Sequence, residues 1–94
     1  MLCRALERLA AVQLERYRFR AARHAAVECR EVAFQTRLAE FEALAFERQI
    51  EVERRRANWP AAYALAGDFI ARSHEGLCEV QRAKAALGTL EASH

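Results

Sequence analysis

A chain of 94 residues with a formal net charge of +2, three cysteines and one proline is bounded to one small domain. No apolar run approaches the roughly 20 residues needed to cross a bilayer, and the N-terminus lacks the compact apolar region of a secretory signal. Cys3, Cys29 and Cys78 stand far apart, in none of the paired spacings of zinc or redox sites. That predicts reduced thiols in a cytoplasmic protein, at most peripheral to the inner face of a membrane.

No glycine precedes Gly67, no proline precedes Pro60, and Ala, Arg, Glu and Leu dominate residues 2–57. These strong helix formers predict one long helix over about 2–57. At about 1.5 Å per residue it would run roughly 84 Å. Apolar residues recur along it at helical spacing, first Leu2, Leu6, Leu9 and Val12, then Phe19, Ala22, Ala26, Cys29 and Ala33, then Phe34, Leu38, Phe41 and Ala45. They form no single strict heptad seam. Charge is uneven along this arm. Residues 1–27 carry six arginines against Glu7 and Glu15, whereas 28–53 carry seven glutamates against Arg30, Arg37 and Arg48. Arg54, Arg55 and Arg56 then return the sign to positive.

Asn58-Trp59-Pro60 predicts a corner at 58–60, with Asn58 as a helix cap and Pro60 supplying the fixed φ of an early helical position. A second helix follows over about 61–91, weakened by Gly67, Gly76 and Gly88. Its seam is Ile70, Ser73, Leu77, Val80, Lys84 and Leu87. The predicted fold is therefore all-α, an antiparallel two-helix coiled-coil hairpin with unequal arms, in one domain over 1–94 without an internal repeat. Phe34, Leu38 and Phe41 would face Leu77, Val80 and Leu87. At about 46 Å the second arm reaches only to about residue 26 of the first, which leaves residues 2–25 without an internal partner.

Candidate chemistry is sparse. No Gly-rich phosphate loop occurs, and the only serines, Ser73 and Ser93, lie in no nucleophile setting, so neither an enzyme nor a cofactor is expected. His74 and Cys78 share a helix face, but two ligands do not close a metal site. A surface histidine and a buried thiol are the expected reading. The arginines Arg4, Arg8, Arg16, Arg18, Arg20 and Arg23, with Tyr17 and Phe19 interleaved, are harder to dismiss, because they lie on the unpaired arm. Phosphates of nucleic acid, an anionic membrane surface and an acidic protein surface all suit such residues. The stripe Leu2, Leu6, Leu9 and Val12 favours the protein. Nucleic acid is disfavoured by the small net charge and the adjoining acidic block. Self-association is the remaining alternative, by straightening of the corner in a dimer, although Gln13, Arg20 and His24 interrupt a long self-pairing seam.

The run Trp59-Pro60-Ala61-Ala62-Tyr63-Ala64-Leu65-Ala66-Gly67-Asp68-Phe69-Ile70, continuing to Leu77, Glu79, Gln81 and Leu87, resembles the post-turn segment of FliJ-type proteins. Leu6-x-x-Leu9 and the Arg/Glu-rich body of the first arm fit the same pattern. The resemblance implies a non-catalytic coiled-coil stalk of a type III export apparatus, flagellar or injectisome (YscO-type). Its implied partners are a hexameric export ATPase, the export gate and chaperones. By position it implies a partner face of Phe69, Ile70, Ser73, Gly76, Leu77 and Val80. Family members carry Leu where Ser73 stands, and they continue the second helix well beyond residue 91.

Overall fold

A computed structural model describes residues 2–74 and 80–93. Among these the chain is all-helical, with α1 (Leu2–Glu15), α2 (Phe19–Thr36), α3 (Ala39–Arg55), α4 (Trp59–His74) and α5 (Val80–Ser93). The two-helix hairpin is corrected to a meander. The long helix expected over 2–57 is three helices, broken at residues 16–18 and 37–38. The expected second helix over 61–91 is α4 and α5, and Leu77, Cys78 and Gly76 lie outside the described residues.

Each break is made without glycine or proline. Tyr17, Arg37 and Ala57 adopt left-handed φ of 58°, 57° and 57°. At each, the next amide reaches back five residues. Arg18 N donates to Gln13 O at 2.8 Å, Leu38 N to Ala33 O at 2.9 Å and Asn58 N to Glu53 O at 2.9 Å. The left-handed residue's own amide donates to Leu14 O, Phe34 O or Arg54 O. This is the Schellman closure, which satisfies the carbonyls a helix end leaves orphaned. A non-glycine residue in this conformation costs about 1–2 kcal/mol, which the recovered hydrogen bonds and the packing of the returning helix offset. The corner expected at 58–60 is found at 56–58. There the Asn58 side chain donates to Glu53 Oε2 at 2.9 Å, and the Asn58 carbonyl accepts Ala62 N.

Successive helices run antiparallel. Cys3 and Leu6 pack on Cys29 and Ala33, Ala10 on Ala25 and Ala26, and Leu14 on Ala22. The segment expected to lack a partner thus folds back on α2, and α1, not the second arm, covers Leu38 and Phe41. Alanine dominates this contact because only small side chains let two helices approach closely enough to bury both backbones. Helix α3 is central and touches all four others. Its far side forms the largest apolar cluster, Ala43, Phe46 and Ile50 against Ala62, Ala66 and Phe69 of α4 and Ala83 and Leu90 of α5. Phe46 and Phe69 stack with centroids 5.0 Å apart.

The geometry repeats where the sequence shows no repeat. The left-handed corners fall at positions 17, 37 and 57, and four of the five buried positions of α2, Ala22, Ala26, Cys29 and Ala33, recur forty residues on in α4 as the buried Ala62, Ala66, Phe69 and Ser73, while the fifth, Ala25, has the half-buried Leu65 as its counterpart. The described residues form a slab of 33 × 30 × 15 Å.

Candidate partner-binding face

Helix α1 is apolar on two sides. Cys3, Leu6, Ala10 and Leu14 face inward and are buried. Leu2, Ala5, Leu9 and Val12 recur at steps of three, four and three on the outer side, where Leu2 is 58% exposed and Leu9 and Val12 are each 47% exposed. Steps of three and four are the spacing of a helix-pairing seam. Of the residues read from sequence as a stripe, Leu6 is therefore corrected to the core and Ala5 takes its place in the outer seam. Arg4 and Arg8 border the seam and Arg16 continues it, all exposed and with no ion pair among the described residues. Glu7 accepts from Arg48 Nε at 2.8 Å, so the seam's border is left basic along the first turns of α1, with the exposed Glu15 on the same edge only at the helix end.

The positions that the resemblance assigned to a partner face divide. Phe69 is fully buried against Phe46, so it is corrected from a partner contact to a core residue. Ser73 is also buried and donates to the Phe69 carbonyl at 2.8 Å. Ile70 is half-buried against the α3–α4 cluster, Val80 begins α5 half-buried, and Leu77 lies outside the described residues. Among the described residues no single surface presents these side chains together. The expectation of a surface histidine at 74 and a buried thiol at Cys78 falls on side chains outside those described. Among the described residues no three His, Cys, Asp or Glu side chains converge as a metal site.

Folding redistributes the charge. Because the helices alternate in direction, the corners at 16–18 and 56–58 meet at one end, joined by packing among Leu14, Ala22 and Val52 and by Arg23 Nε 3.4 Å from Glu53. That end gathers Arg16, Arg18, Arg20, Arg23, Arg54, Arg55 and Arg56 against Glu15, Glu51, Glu53 and Glu91. Glu51 accepts from Arg54 and Arg55, and Glu53 from Arg56. Burial pushes the Glu51 carboxyl up, but the arginine hydrogen bonds outweigh it and hold the group below its ordinary value. Arg20, given in the sequence reading as a partner contact, stands exposed at this end with Arg16 and Arg18.

A hollow of about 420 Å³ crosses α3 between α2 and α4. It is walled by Phe34, which is 54% exposed, and by Phe46. Arg72 lies 4.4 Å over the Phe34 ring and pairs with Glu42 at 3.0 Å, while Arg30 lies 4.8 Å over Phe46. These guanidiniums spend their charge on ring faces and a carboxylate inside the fold. Cys3 and Cys29 face each other beneath α1, with Cys29 Sγ donating to the Cys3 carbonyl at 3.4 Å. Burial first, then the neighbouring Cys3 and Glu7, push the Cys29 thiol up to about 11, which leaves it a poor nucleophile.

No helix among the described residues is long and apolar enough to cross a membrane. No protein-family model, curated protein or solved structure matches the chain.

Proposed function

We propose that this chain is a non-catalytic helical interaction module, and that it engages an amphipathic helix of a partner protein through the outer seam of α1. The observation that carries this reading is the second apolar side of α1. Leu2, Ala5, Leu9 and Val12 keep pairing periodicity although they stand exposed among the described residues. Covering such a seam contributes about 25 cal/mol for each Å² of apolar surface taken out of water. The basic border formed by Arg4 and Arg8 selects an acidic partner helix and opposes a two-fold pairing of α1 with a second copy, which would set arginine against arginine.

The resemblance at Trp59–Ile70 offers one setting for such a module, a type III export apparatus with its ATPase, gate and chaperones as partners. That setting rests on the resemblance alone, because a slab whose longest Cα extent is 33 Å does not supply the shaft that a stalk uses. A designed acidic heptad peptide, with leucine on the seam and glutamate on its borders, should bind the chain, whereas its lysine counterpart should not. Leu9→Asp should reduce that binding at least tenfold while leaving helicity by circular dichroism unchanged. Equal binding of the acidic and basic peptides, or indifference to Leu9→Asp, would remove the reading.

A further inference from the structure

The run Arg16-Tyr17-Arg18-Phe19-Arg20 has no role in the seam of α1 beyond Arg16, and the fold displays it in an unusual way. It forms the corner between α1 and α2, where Tyr17 is 72% exposed and held at φ 58°. Tyr17 and Phe19 meet edge to face with centroids 6.1 Å apart. Phe19 is anchored on the cluster of Leu14, Ala22 and Val52 and gives the exposed Tyr17 ring a packed neighbour. Beside it opens a shallow hollow of about 600 Å³ lined by Arg18, Phe19, Arg20, Ala21 and His24.

The arginines at this end divide into two sets. Arg23, Arg54, Arg55 and Arg56 are engaged by Glu51 and Glu53. Arg16, Arg18 and Arg20 have no ion pair among the described residues and flank the aromatic platform on both sides. Folding weakens the objection that an acidic block adjoins the basic one: Glu51 and Glu53 of that block stay at this end but are engaged by Arg23, Arg54, Arg55 and Arg56, and Glu28 pairs with His24 at 2.6 Å on the rim of the hollow. Glu31 lies toward the far end of α2 and Glu40 and Glu42 at the start of α3, beyond the opposite corner at 37–38.

We propose that this corner is a binding site for single-stranded nucleic acid, with Arg16, Arg18 and Arg20 contacting successive phosphates and Tyr17 stacking on an unpaired base. Exposed aromatic faces interleaved with free cations are what sequence-tolerant single-strand binding requires. A duplex keeps its bases stacked on one another and offers Tyr17 no partner. An anionic bilayer surface attracts the same arginines. It is the weaker candidate because the exposed aliphatic side chains that bilayer insertion uses, Leu2, Leu9 and Val12, run along α1 and not at the corner, where the large exposed apolar side chain is a tyrosine. The site shares only Arg16 with the α1 seam and goes beyond the protein-docking reading.

The test is fluorescence anisotropy of a short labelled oligothymidylate, titrated with the full chain at several salt concentrations. Three phosphate contacts on a single strand give a log–log salt slope of about −2, a loss of about tenfold to twentyfold between 50 and 200 mM salt. Replacing Arg16, Arg18 and Arg20 together by glutamine should flatten that slope. Tyr17→Asn, which suits the left-handed corner and so keeps the fold, should weaken binding about tenfold and leave the slope intact. Vesicles of phosphatidylcholine with a minority of phosphatidylserine serve as the competing surface. Binding to vesicles but not to the oligonucleotide, or oligonucleotide binding that ignores both sets of substitutions, overturns the proposal. Leu9→Asp should leave oligonucleotide affinity unchanged, so this site and the α1 seam fail or stand separately.

Discussion

Cys29 shows how one buried atom sets a pH limit on the fold. Its thiol lies under α1 with no accessible surface, and burial together with Cys3 and Glu7 raises it from the usual 9.0 to about 11. In the unfolded chain the same thiol ionises near its ordinary value. The unfolded state therefore loses this proton first as pH rises, and stability falls through the interval between the two values. Stability should be unaffected by this group below about pH 9 and decline by an order of 2–3 kcal/mol by about pH 11. Urea unfolding at a series of alkaline pH values measures the decline. Cys29→Ala should remove that part of it, at the cost of a small cavity. A wild-type profile identical to that of Cys29→Ala would show that the thiol ionises equally in both states.

At the level of elements, the corners decide the architecture, and they were the least legible feature. The sequence places one stop signal, Asn58-Trp59-Pro60, and the chain turns there at 56–58. The turns at Tyr17 and Arg37 carry no glycine, so propensity alone runs straight through them. A signal was present in the phase of the apolar stripes. Phe19 to Ala33 is out of phase with Leu2 to Val12, which reads as a flaw in one helix but separates α1 from α2; the stripe Phe34 to Ala45 runs across the second corner and does not mark it. The all-α class and the outer positions Leu2, Leu9 and Val12 were readable from period and composition. The burial of Leu6 and Phe69 was not, because it depends on which helix returns to cover them.

The same corners can be improved. Arg37 sits at φ 57° with its amide already bonded to Phe34 O. Glycine relieves the steric penalty of the left-handed conformation but restores freedom to the unfolded chain. The first effect, about 1–2 kcal/mol, exceeds the second, so Arg37→Gly should stabilise by about 0.5–1 kcal/mol. The melting temperature should rise by a few degrees, roughly 4–8 °C per kcal/mol for a domain of this size. A fall in melting temperature would mean that the Arg37 side chain contributes more than its backbone costs.

For the molecule as a whole, the meander and the long hairpin make incompatible demands on shape. The described Cα atoms have a radius of gyration of 12.1 Å, close to the roughly 12 Å of an ordinary compact domain of this length. A uniform rod as long as the unbroken helix, roughly 84 Å, has a radius of gyration of roughly 24 Å. The compact form is reached because α1 buries Cys3, Leu6, Ala10 and Leu14 on α2 and α3, surface that a straight arm leaves in water. Apolar burial at about 25 cal/mol per Å² exceeds the roughly 1–2 kcal/mol strain at each left-handed corner once a few such side chains are covered. Small-angle scattering combined with light scattering should therefore give a radius of gyration of about 12–13 Å at monomer mass. A value near 24 Å at that mass would mean that the corners at 17 and 37 open and that the chain is a stalk after all. A compact dimer would instead place a second copy on the α1 seam, and Leu9→Asp would then return the mass to that of one chain.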